Sequence, residues 1–236
     1  MRRHSHGGLS SIGQDRGIIY TCHCGWFDRG HAFVSPSKRA HVGPFQLWNS
    51  LLKEDGPPQV IGRTPMPGFV VTYRQDAAKK IAGMTLLPGV ERQYIVRKGL
   101  SNVQKQGVAL AMVMDLSIQF ETLQNSWVAR TLTKSDSGFS EEDLVSNIIG
   151  LYATIFPAID VDALCKPVSV AASQAVWKAF GSVGGNKNKT FRPIFHACSE
   201  CTDPPRFPAQ FQVIRPAVKG VDFVDYFPMN AGPWGY

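Results

Sequence analysis

The chain has 236 residues, 44% of them hydrophobic and 18% charged, with a net charge of +7. That composition is globular and excludes an intrinsically disordered chain. No apolar run reaches the roughly 18 residues of a membrane span, and the basic residues form no stripe interleaved with aromatics. A membrane span is therefore not expected, a nucleic-acid partner is disfavoured, and the excess positive charge favours a polyanionic substrate such as a bacterial cell wall.

The first 16 residues are polar and rich in glycine and serine, and a flexible N-terminus is expected there. Two arginines near the start are not followed by an apolar core, so the chain as written shows no secretory signal peptide. The expectation is a cytoplasmic protein, or one exported by a route that needs no leader. Residues 17–236 are expected to form a single domain.

Ile18 to Cys22 reads as a short buried strand running into Gly25-Trp-Phe-Asp-Arg-Gly-His31, a loop rich in ionisable and aromatic groups. Val42 to Leu52 has the spacing of an amphipathic helix, ended by Gly56-Pro-Pro58. Gln59 to Thr64 and Gly68 to Arg74 read as strands around a Pro/Gly turn, and Arg92 to Arg97 as a third. Ser101-Asn-Val-Gln104 is a capping-box signature, and the helix behind it should reach about Asn125. Ser140 is placed as the N-cap of a further helix, with Glu141, Glu142 and Asp143 facing its dipole. Pro157 should stop it, and Asp160 to Phe180 should be helical with a break near Pro167. Gly184 to Lys189 reads as a flexible loop, and Gln210 to Ile214 as a strand in a Pro-rich tail. Early strands and central helices predict an α+β fold, with helices packed on a small, mostly antiparallel sheet.

Glu121 is the residue that most demands a reason. It shares a helical stripe with Leu110, Met114 and Ile118, and a buried carboxylate must be paired, bound or protonated. Asp28 and His31 stand three apart, so the Asp can hold the His tautomer for acid–base work, both can bind a metal, or the two can form a structural hydrogen bond in a loop. Asn147, on a face with Leu144 and Leu151, is a buried amide that could orient Glu121 or His31 or bond a loop carbonyl.

The five cysteines are Cys22, Cys24, Cys165, Cys198 and Cys201, an odd number that argues against a full disulfide framework. Cys22, Cys24, Cys198 and Cys201 together could ligate zinc, although the Cys-x-Cys half is tighter than the usual spacing. Reduced, packed thiols are the alternative, and so is a Cys198–His196 nucleophile pair. The GxSxG, HExxH, P-loop and GxGxxG signatures are all missing, which disfavours the enzymes that carry them.

Three segments carry a resemblance: Tyr20 to His31, Phe120-Glu121, and Gly138-Phe-Ser-Glu-Glu-Asp-Leu-Val-Ser-Asn-Ile-Ile-Gly150. They resemble an uncharacterised family of bacterial proteins, often predicted lipoproteins. That family has a Gly-aromatic-x-Asp-x-x-His element, a His-Glu pair on a helix, and a Phe-Ser-x-Glu-Asp-Leu-x-Ser-Asn segment. The resemblance implies that Asp28, His31, Glu121, Ser146 and Asn147 act together; Phe120 stands where the family has histidine. Two functional expectations result. One is a hydrolase of the cell envelope, such as peptidoglycan, with Asp28, His31 and Glu121 catalytic and Ser146 and Asn147 supporting them. It would be delivered as an antibacterial effector, with a cognate immunity or delivery protein as partner. The other is a non-catalytic binding or structural module whose polar core residues only fix the fold, with a zinc-stabilised domain organised by Cys22, Cys24, Cys198 and Cys201 as a further alternative.

Overall fold

The computed structural model describes residues 12–13, 17–33, 42–61, 66–75, 79–81, 84–87, 89–125 and 139–227. Strands β1 (Ile18–Thr21) and β2 (Gly25–Asp28) form an antiparallel hairpin whose eight residues are all buried. The reason is that the hairpin lies between two apolar clusters. The cross-strand pair Ile19 and Phe27 enters the larger one, and the pair Tyr20 and Trp26 enters a smaller one with Ile18, Val168 and Val176. Strand periodicity of two thus serves two cores instead of one core and solvent.

The main sheet has the order β3-β4-β7-β8 and is antiparallel throughout. Its strands are β3 (Pro58–Ile61), β4 (Met66–Gln75), β7 (Val90–Arg97) and β8 (Phe223–Asp225). Phe69, Val71 and Tyr73 alternate inward on β4, facing the inward Tyr94 and Val96 of β7. Pro58 opens the edge strand β3, a place where its missing N–H costs little. Between β4 and β7 lies a separate hairpin, β5 (Lys79–Ile81) and β6 (Met84–Leu87).

Helices α2 (Gly43–Lys53) and α3 (Asn102–Gln124) pack on the sheet, and α4 (Asp143–Ile155) packs on α3. Leu47 and Leu51 bury the inner face of α2. The capping box of α3 forms as the sequence predicts, with the Ser101 hydroxyl accepting from the Gln104 N–H and the Gln104 side chain from the Ser101 N–H. Helix α4 is buried on all sides, from Leu144 and Val145 to Leu151 and Tyr152, as expected for a helix apolar all round. A one-turn helix, α1 (Arg29–Ala32), lies against α4. Gly150 permits this approach, since a Cβ there would run into the Ala32 carbonyl. Helices α5 (Val161–Cys165) and α6 (Val170–Phe180) flank Pro167, where a break is expected. The architecture is α+β.

Several sequence expectations are corrected. Helix α4 starts at Asp143, with Glu142 in the cap position, and the Ser140 N–H donates to Asp143 Oδ2 (2.9 Å). Glu141, Glu142 and Asp143 are buried rather than solvated at a helix end. The Gly184–Lys189 segment is not a loose loop: buried Asn188 donates to the Glu141 and Arg192 carbonyls and accepts from the Thr190 N–H. A short 3-10 turn at Ala209–Gln212 replaces the expected strand, and the tail's strand lies further on, at β8. The expectation of a flexible N-terminus falls outside the described residues except at Ile12, which is buried, and Gly13.

The four-sulfur zinc set is also overturned. Cys22 is bonded to Cys201 and Cys24 to Cys165, leaving Cys198 as the one free cysteine. A sulfur held in a disulfide has no thiolate to give a metal. The odd count therefore hid two bridges plus one thiol. The second pairing was missed because Cys165 looked isolated in sequence, yet the Cys22 and His23 N–H groups donate to the Lys166 and Cys165 carbonyls and bring the hairpin turn to the end of α5.

Candidate functional site

The end of β2 and the start of α1 deliver the first two groups. The chain turns at Asp28, whose Oδ1 accepts from the Gly30 N–H (2.6 Å) and the His31 N–H (3.1 Å), a side-chain cap for the short helix. The other carboxylate oxygen, Oδ2, lies 3.2 Å from His31 Nδ1. The Asp28 N–H donates to Ser146 Oγ at 2.9 Å, which fixes the hairpin end to α4. Asp28 thus shapes the backbone and the imidazole together.

Helix α4 delivers the third group. Asp143 Oδ1 lies 3.3 Å from the same Nδ1. Asp143 in turn interacts electrostatically with Glu121, near the end of α3. Glu121 Oε2 accepts from the Phe139 N–H at 2.7 Å, while its Oε1 is buried without a partner among the described residues. The result is a line of groups: His31, Asp143, Glu121 and the Phe139 N–H. Glu142 is buried beside them, with an unpartnered Oε2.

Their charges are interdependent. Burial alone would lower the His31 pKa, but Asp143 first, then Asp28 and Glu121, hold the imidazole well above its ordinary value. Burial pushes Asp28 up, yet His31 and the two N–H donors bring it below the ordinary carboxylate range. Burial and then the neighbouring Glu121 raise Asp143 strongly. Burial raises Glu121 against the pull of His31, and Glu142 is raised by burial and then by Asp143. The cluster is thus an imidazole pushed toward its charged form beside an Asp28 held toward its ionised form, with Asp143, Glu121 and Glu142 pushed toward their protonated forms.

Exposure separates the members. The His31 side chain is 28% exposed, whereas Glu121 is fully buried. No hydrogen bond to His31 Nε2 is made by the described residues. Asn147 is buried but bonds to neither Glu121 nor His31; Ser146 is the residue of that pair that reaches the site. Phe120 packs in the core. The sequence therefore picks out Asp28, His31 and Glu121, and the structure brings them together. Asp143 and Glu142 were missed because acidic residues at a helix start ordinarily face solvent. The signal against that reading was the fully apolar character of α4, which leaves no solvated face at its first turn.

A second imidazole–carboxylate pair lies nearby in sequence. His196 Nε2 is 2.6 Å from Glu141 Oε1, and the Phe180 ring stacks on the imidazole. His196 is thus engaged with Glu141, and no hydrogen bond joins it to the Cys198 thiol among the described residues. The Cys–His nucleophile pair is not formed.

Among the described residues, no group of three or more His, Cys, Asp or Glu side chains is disposed to hold a metal ion. Comparison with protein-family models, curated proteins and solved structures finds no match to this chain.

Proposed function

We propose that the chain is a hydrolase of the bacterial cell envelope with His31 as its acid–base group. One observation carries the reading: an imidazole whose Nδ1 lies 3.2 and 3.3 Å from two carboxylates, Asp28 and Asp143, with its side chain 28% exposed and further buried carboxyl groups behind it. Hydrolysis needs a proton delivered to the leaving atom and one taken from water. His31, whose pKa its carboxylate neighbours raise, delivers the first through Nε2. Asp28 stays ionised, fixes the ring and stabilises its charge. The neutral imidazole then takes a proton back at Nε2 from the attacking water, while Nδ1–H stays on the Asp28 and Asp143 carboxylates, and Glu121 acts through Asp143 without touching substrate.

The net charge of +7 favours a polyanionic polymer such as cell wall. Two disulfides persist best in an oxidising compartment, which favours an exported protein over a cytoplasmic one. An antibacterial effector paired with an immunity protein is consistent with both.

A second reading is favoured by the burial of Glu121 and its bond to the Phe139 N–H. It is a non-catalytic module in which these polar groups tie α3, α4 and the hairpin together. Purified peptidoglycan and host cells expressing the chain with a periplasmic leader separate the two. Wild type should release soluble fragments and arrest growth only from the periplasm, and a folded His31→Ala variant should do neither. Equal behaviour of wild type and His31→Ala would leave the structural reading standing.

A further inference from the structure

Cys198 and Cys201 bracket a tight turn in which the Cys201 N–H donates to the Cys198 carbonyl at 3.2 Å. Such a turn brings its outer Cα atoms within about 7 Å, the separation that a disulfide can span. Cys201 is already bonded to Cys22, with Cα atoms 5.3 Å apart, while Cys198 is free. All three cysteines pack against the smaller apolar cluster, with Cys22 buried and the other two partly exposed.

The turn is pinned on both sides. The Tyr20 hydroxyl accepts from the His196 N–H at 2.6 Å. Glu200, inside the turn, accepts from the Ser169 N–H and hydroxyl at 2.8 and 2.6 Å. Asp203 pairs with Lys166 at 2.7 Å. The hairpin has its own ties to α5, through the Cys24–Cys165 bridge and the N–H groups of Cys22 and His23. Neither partner therefore depends on the Cys22–Cys201 bond to keep its place.

We infer that Cys198, Cys201 and Cys22 form a thiol–disulfide exchange site. The Cys198 thiolate attacks Cys201 Sγ, a Cys198–Cys201 bond forms, the Cys22–Cys201 bond breaks, and Cys22 leaves as thiolate. The proton lost by Cys198 ends on Cys22. One disulfide and one thiol are present before and after, so no oxidant or reductant is consumed. The exposed members of the site would also accept a thiol from outside, with Cys198 or Cys201 forming the mixed disulfide.

The full chain, equilibrated with reduced and oxidised glutathione and quenched with N-ethylmaleimide, tests this. Trypsin keeps Cys22 with Cys24 and Cys198 with Cys201, so the two isomers give different linked peptides. The expected result is two populations, one labelled at Cys198 and one at Cys22 with a closed Cys198–Cys201 loop. Cys198→Ser and Cys198→Ala should abolish the Cys22 label unless Cys201 is labelled or glutathionylated with it. Label confined to Cys198 at every glutathione ratio would overturn the proposal. So would Cys22 labelling that persists in both variants with Cys201 still bridged.

Discussion

The buried cluster around His31 makes stability fall as pH rises, opposite to ordinary salt-bridged carboxylates. Folding raises the pKa of Glu121, Glu142, Asp143 and His31 and lowers that of Asp28. A raised group keeps a proton that the unfolded chain gives up, so its stabilisation is full below the unfolded value and fades as pH climbs through the folded one. Asp28 behaves oppositely: its contribution is present above about pH 4 and is lost as pH falls through its lower folded value. Each proton held only by the folded state gives a slope of about 1.4 kcal/mol per pH unit. Each of Glu142, Glu121 and Asp143 that keeps its proton on folding adds such an increment above about pH 4, and His31 adds another above about pH 6.5, so the fall continues through the neutral range. Urea unfolding at several pH values between about pH 5 and about pH 8 measures it, with Glu142→Gln as the comparison. The variant should show a slope shallower by up to about 1.4 kcal/mol per pH unit, because one retained proton is gone. Stability that is level or rises across this window, or an unchanged slope in Glu142→Gln, would refute the charge assignment.

Gly150→Ala should destabilise the fold by about 1–3 kcal/mol, since its Cβ meets the Ala32 carbonyl and pushes α1 off α4; urea melts give the loss, and the His31 imidazole resonances in NMR should shift with it. Replacing Cys24 and Cys165 together by alanine should cost about 2–5 kcal/mol, because their bridge closes a loop of 141 residues. An unchanged urea midpoint would show that the bridge does not form.

Local chemistry was legible in the sequence. The capping box at Ser101, the helix around Leu47 and Leu51, the inward alternation of β4 and the break at Pro167 all depend on residues close together in the chain. Glu121 announced itself because a carboxylate on an apolar helical stripe conflicts with burial, and Asp28 and His31 because one turn lets them meet. Contacts between distant segments decided the rest. Whether Glu141, Glu142 and Asp143 are solvated depends on what covers the start of α4, and that cover comes from the hairpin, α3 and the tail around His196. The cysteine partners lie 141 and 179 residues apart, and only tertiary packing chooses between a zinc set and two disulfides. The sequence by itself determined which groups would be costly to bury. The tertiary structure decided which of them lie together and shift one another's charge, because desolvation and charge pairing act through space and fall off with distance rather than with position along the chain.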